Sequence, residues 1–277
     1  MSSFSGRRAF CVAGLSTVLG ACAGWPGGPD GPDAAAARAE LGSTGRLRAA
    51  INFGNPILAT RGERPGAPIG VSVDLAREAA RRLGVELELV EFPSAGLVVE
   101  AATAARVDMA FVAIDPVRGA GLDYTPPYVI IEGAYLVRAD SPLQDKSEVD
   151  RPGNRIAVGR GSAYDLYLAR ELKQAALVRA STSPAVTDLF LAEGLEVAAG
   201  VRQQLEADAR RLADRAALRL LPGRFMVIEQ AIAVPKGRHA SQAWLGDFIE
   251  AMKRSGFVAE SLRRHGIEGA AVAPAAR

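Results

Sequence analysis

The residue whose type and place could do chemistry here is an arginine. Residues 109–114, Met-Ala-Phe-Val-Ala-Ile, form a short apolar run of buried-strand length. Asp115-Pro116 breaks that run, and Arg118 follows on the turn with Gly119 and Gly121 close behind. Open α/β sheets place ligands beyond the C-terminal ends of their strands. A guanidinium fixed there can meet a carboxylate through two parallel hydrogen bonds. A solvated arginine after a proline turn fits the same stretch. Other chemistries find little support. His239 and His265 are the only imidazoles, and neither has a cysteine or a second histidine at ligand spacing. No zinc site and no cofactor are expected.

The elements that must position Arg118 follow from periodicity. Residues 47–53 read as a strand, and Asn52, Asn55 and Pro56 sit at the turn that ends it. A helix over 72–83 carries Val73, Ala76, Ala80 and Leu83 on one face, with Ser72 expected as its cap and Gly84 closing it. A strand at 85–92, a helix at 95–105 and the run at 109–114 complete an alternation that requires a parallel sheet. After a longer strand at 128–137 the pattern restarts. It gives a strand at 155–158, a glycine turn, a helix from Ser162, and further strands and helices to residue 221. A strand at 229–234 and helices at 241–255 and 258–265 end the body, with Trp244, Phe248 and Met252 facing inward. Two α/β lobes are implied.

Composition agrees. The 277 residues are 49% hydrophobic and 23% charged, with a net charge of +2 and no basic stripe, so nucleic acid is not expected as a partner. Cys11 and Cys22 both lie in the first segment. Arg7-Arg8 precede an apolar run over 9–21 that is short for a permanent anchor. Leu19-Gly20-Ala21-Cys22 resembles a bacterial lipobox, and the paired arginines resemble a twin-arginine export signal with Gly6 where Ser or Thr is usual. Residues 1–22 are therefore expected to be a signal peptide with lipidation at Cys22, although a plain signal peptide with a chance cysteine fits the same stretch, and 23–45 a flexible tether. The protein should work outside the cytoplasm.

Read in order, Gly70-Val71-Ser72-Val73-Asp74-Leu75-Ala76, Val107-Asp108, Asp115-Pro116-Val117-Arg118, Tyr124-Thr125-Pro126-Pro127-Tyr128 and Gly159-Arg160-Gly161-Ser162 give the body a further likeness. Over about residues 46–267 it resembles the extracellular solute-binding proteins of family 3, the amino-acid receptors of ABC importers. The resemblance implies a two-lobe periplasmic-binding fold (type II). Lobe 1 would span 46–135 and lobe 2 136–228. Residues 229–268 would return to lobe 1, and 269–277 would be a tail. Hinge strands are expected near 133–137 and 229–234, with closure by hinge bending. Arg118 matches the family's carboxylate clamp. Gly161, Ser162 and Ala163 match the turn whose backbone N–H groups take the same carboxylate, as suits a helix start. A plain helix-capping role for Ser162 is compatible with this. The implied partners are a small carboxylate-bearing solute, ABC permease subunits and a membrane reached only through the lipid. A monomer is expected.

The departures from that family are informative. Asn55 stands where the first loop usually has an aromatic, Ala95-Gly96 where the second helix usually opens with one, and Asp115 where Thr is usual. The run 111–113 is apolar, and the loop before Arg118 is about two residues shorter than the family's. No carboxylate occurs near 199–201, where the partner of a ligand ammonium should fall. Asp115, Glu132 or Glu229 are left as candidates to meet a cation, and Asn52, Asn55, Tyr164 and Gln230 to hydrogen-bond. Two other functions are carried alongside transport. One is a secreted cyclohexadienyl or arogenate dehydratase, needing Glu132 or Glu229 as a buried general acid. The other is a ligand-sensing protein without transport. With no second hydrophobic span or kinase-like segment, a membrane-spanning sensor kinase is not expected.

Overall fold

Apolar runs become strands and one-faced runs become helices in the expected order. The computed structural model describes residues 32–62 and 67–276. The expected signal peptide and Cys22 lie outside the described residues. The chain runs α1 (Pro32–Leu41), β1 (Arg46–Asn52), a small hairpin of β2 (Thr60–Arg61) and β3 (Pro68–Ile69), α2 (Val71–Leu83), β4 (Glu86–Phe92), α3 (Ala95–Thr103) and β5 (Met109–Ala113). A 3-10 turn, Arg118–Ala120, precedes β6 (Leu122–Tyr124) and β7 (Val129–Arg138). The second unit holds β8 (Arg155–Gly159), α4 (Ala163–Glu171), β9 (Ala176–Ala180), α5 (Val186–Ala192), β10 (Val197–Val201), α6 (Arg202–Arg211) and β11 (Leu218–Leu220). β12 (Met226–Pro235), α7 (His239–Arg254), α8 (Phe257–Arg264) and β13 (Ala271–Val272) follow.

The main sheet has the order β4-β1-β5-β12-β7-β10-β8-β9. β1 pairs in parallel with β4 and β5, and β8 pairs in parallel with β9 and β10. Every residue of β5 is buried, as a strand covered on both faces requires. Between the two parallel sets run β12 and β7, antiparallel to each other from Met226↔Gly133 to Gln230↔Val129. β12 also pairs with β5, and β7 with β10, so these two strands alone bridge the units within the sheet path. This is the two-lobe α/β architecture of type II periplasmic binding proteins.

Helix faces pack as their periodicity demands. α2 buries Val71, Val73, Ala76, Ala80 and Leu83, and Gly84 ends it in the left-handed conformation. Its cap is Gly70 rather than Ser72. A Cβ at Gly70 would lie 2.4 Å from the Leu58 carbonyl oxygen, so the chain can pass here only without a side chain. Ser72, one position inside the helix, instead meets the Tyr128 hydroxyl at 3.3 Å. α7 turns Trp244, Phe248 and Met252 into the core, with the Trp244 and Phe248 rings stacked at 5.6 Å.

Two segments depart from expectation. The tether expected over 23–45 contains α1, which buries Ala34, Ala37 and Leu41 and packs on α7. Glu40 fixes it there by accepting from the Ser241 N–H at 2.8 Å and the Ser241 hydroxyl at 2.6 Å. The expected tail contains β13, paired with β7 at Ile130 and Val129, and Ala273 is buried beyond it.

α2 also supplies an acid-sensitive element. Glu78 accepts from Arg81 at 2.8 Å and from Arg82 at 2.7 Å. Its pKa falls from 4.5 to about 2, chiefly through the Arg81 hydrogen bonds, against the opposing effect of burial. Because the folded-state value lies below the unfolded one, the stability it adds is complete above about pH 4.5 and is lost as pH falls toward 2. With Arg81 largely exposed, that contribution is roughly 1 kcal/mol. Urea melts at pH 7 and pH 3 should show a smaller loss between the two for Glu78→Gln than for the parent. Equal losses would remove Glu78 from the acid limb.

Candidate functional site

Arg118 lies beyond β5, held by the turn that Asp115 builds. One Asp115 oxygen accepts from the Val117 N–H at 2.8 Å and the Arg118 N–H at 3.4 Å. Arg118 is 5% exposed. Its Nη1 donates to the Ala113 carbonyl at 3.0 Å and its Nη2 to the Gly161 carbonyl at 2.8 Å, across the gap between the two units. These bonds use two of the five N–H donors a guanidinium carries. Burial lowers its pKa, opposed by Tyr124 and Asp115.

The facing wall is the start of α4. Ser162 caps that helix, its Oγ accepting from the Asp165 N–H at 3.0 Å. The Ala163 and Tyr164 amides have no hydrogen-bond acceptor among the described residues, as expected for a first helical turn. Gly161 differs from expectation. Its N–H donates to Asp165 Oδ2 at 2.9 Å, so it is not open to a ligand. Arg179 pairs with the same carboxylate at 2.9 Å, which fixes the turn. Gly161 has φ +67, and a Cβ there would come within 3.2 Å of Gly96 Cα, so the two units meet backbone to backbone.

The cleft brings together seven of the nine residues expected to touch ligand: Asn52, Asn55, Arg118, Ser162, Ala163, Tyr164 and Gln230. Gly54, Ala95, Ala113, Ser183, Val201 and Ile228 complete its lining. Free space amounts to about 30 Å³, room for little more than a water molecule. Asn52 accepts from the Gly54 N–H at 2.9 Å and shapes the first loop. The Oδ1 of Asn55 is buried without a hydrogen-bond partner among the described residues. Burial pushes the Tyr164 phenol up, with the Ser183 and Ser162 hydroxyls opposing.

The expected acidic partners are placed elsewhere. Asp115 does not line the cleft; its second oxygen meets Arg170 of α4 at 3.0 Å, an ion pair between the units. Glu132 is held by Arg202 at 3.1 Å and Arg224 at 2.7 Å, and the Arg224 contact lowers its pKa. That is the reverse of what a general acid needs. Glu229 is exposed. Among the described residues no cluster of His, Cys, Asp and Glu could hold a metal. Sequence reading missed Arg170, Asp165 and Ser183, whose roles depend on side-chain pairings that periodicity does not carry.

The Asp115–Arg170 pair gives one test. Arg170→Ala should favour separation of the units and raise the radius of gyration in small-angle X-ray scattering. An unchanged radius would make the pair incidental to how the units are held together.

The chain matches the family model for bacterial extracellular solute-binding proteins, family 3, over residues 47–267. Among solved structures it is similar to a mutant of ArgBP from T. maritima (23% identity, covering 84% of this chain and 100% of that chain, TM-score 0.71). It is also similar to a solute receptor for L-cysteine from Neisseria gonorrhoeae (19%, 84% and 94%, 0.72). A third likeness is to an ancestral amino-acid-binding protein described as a precursor of cyclohexadienyl dehydratase (19%, 81% and 97%, 0.68). Among the described residues no helix is long and apolar enough to cross a membrane.

Proposed function

Because this chain belongs to the bacterial extracellular solute-binding proteins of family 3, we propose that it captures a small carboxylate-bearing solute in the cleft and delivers it to an ABC importer. The observation that carries this is the buried Arg118, with donors to spare, facing the Ala163 and Tyr164 amides, which have no acceptor among the described residues. A carboxylate between them would accept from a cation on one side and a helix start on the other.

The lobes divide near residues 135 and 228, and β7 and β12 act as the hinge. The narrowness of the cleft means that a solute enters only when the hinge opens, so binding and closure are coupled. Cys22 carries the lipid that keeps the protein at the membrane, while export removes the preceding segment. The protein acts as a monomer that docks on the permease.

The test is a thermal-shift screen of the purified protein against amino acids, hydroxy acids, dicarboxylates and N-acylated amino acids. A solute at 100 times its Kd should add about 2.7 kcal/mol of stability. A panel in which no carboxylate raises the melting temperature would sink the proposal. Prephenate belongs in the panel, with product followed by absorbance; turnover would move the protein to the dehydratases.

A further inference from the structure

The charge that lines the cleft restricts its ligand. Among the described residues, Arg118 is the only ionisable side chain lining it apart from the Tyr164 phenol. Asn52, Asn55 and Gln230 are neutral carboxamides, and Val201 and Ala199 occupy the end of β10 where no acid stands. The nearby acids are committed elsewhere. Asp115 pairs with Arg170, and Asp165 with Arg179 and the Gly161 amide. A solute carrying only a carboxylate brings the closed cleft to neutrality. A zwitterionic amino acid would leave an ammonium buried without a counter-ion, which a low-dielectric site penalises heavily.

Asn55 indicates what the solute carries instead. The residue is 9% exposed, and its Oδ1 is buried with no donor among the described residues. The turn fixes its backbone: its N–H donates to Asn52 at 3.2 Å, and its carbonyl accepts from Leu58 and Ala59 at 3.0 and 3.2 Å. A buried acceptor without a donor is costly, so a matching donor on the solute is rewarded.

Building on the carboxylate reading above, we propose that this site selects solutes of net charge −1 whose carboxylate lies beside an uncharged hydrogen-bond donor, an N-acyl N–H or a hydroxyl, received by Asn55. The α-ammonium of an ordinary amino acid is thereby disfavoured.

Calorimetry on matched sets decides it. Each set holds an amino acid, its N-acetyl and N-carbamoyl derivatives, the 2-hydroxy acid and the 2-oxo acid, built on alanine, leucine and glutamine. The best neutral-donor member should bind at least tenfold tighter than its amino acid, and the oxo acid, lacking a donor, should fall below the hydroxy acid. Asn55→Asp, nearly isosteric, should raise amino-acid affinity and lower that of the neutral-donor member, reversing their order. Asn55→Leu should level the hydroxy and oxo acids. If amino acids bind tightest and lose affinity in Arg118→Ala, this proposal falls while the carboxylate reading stands. If no member of any set binds, this proposal falls, and the carboxylate reading falls with it only if the wider thermal-shift panel is also silent.

Discussion

Replacing Arg118 with alanine should weaken solute binding by roughly 30- to 150-fold, the equivalent of about 2–3 kcal/mol for a lost charged hydrogen-bond partner. The estimate holds because the guanidinium is buried, so water cannot readily replace it at the carboxylate. Arg118→Lys should recover only part of the affinity, since a single ammonium cannot reproduce two parallel donors. Calorimetry with the tightest carboxylate from the screen is the measurement. Affinity within threefold of the parent in Arg118→Ala would take this residue out of the site, whatever its position in the fold.

Trp244→Ala should cost about 3–5 kcal/mol of folding stability, the range for deleting a large aromatic from a packed core. Trp244 is 1% exposed, stacks on Phe248 and belongs to the cluster that also holds β5, β12 and α2 side chains. Domains often have only about 5–15 kcal/mol in all, so the variant should melt many degrees lower. Because Trp244 does not line the cleft, solute affinity at low temperature should remain close to the parent's. Urea titration and calorimetry on the same preparation separate these effects. A stability loss below 1 kcal/mol would mean that the core closes around the deletion.

Most strands and helices were legible in the chain because their burial is regular. β5 is an uninterrupted apolar run covered on both faces, and α2 and α7 repeat apolar residues along one side. α1 was missed for a physical reason. Its alanine-rich sequence has almost no amphipathic contrast, and its docking depends on Glu40 reaching Ser241, 201 residues away. β13 is only two residues long, and its pairing with β7 supplies an order that local pattern lacks. The same divide runs through the site. Arg118 could be found from a strand ending in Asp-Pro, and Ser162 from a glycine turn before a helix. That Asp165 occupies the Gly161 amide and Arg170 captures Asp115 could not be read, because both depend on which side chains meet after folding.

α1 packs on α7 and β1, and β13 pairs with the same stretch of β7 that meets β12. Both ends of the described chain therefore lie against the unit built on β1, β4 and β5. On the proposed hinge motion, a fluorescent protein fused at either end of the described chain would ride on that unit, and a pair fused at both ends would keep a nearly constant separation as the cleft opened and shut. A working optical sensor needs its second fluorophore on the opposite unit. The exposed turn at residues 151–153, between β7 and β8, is a suitable place.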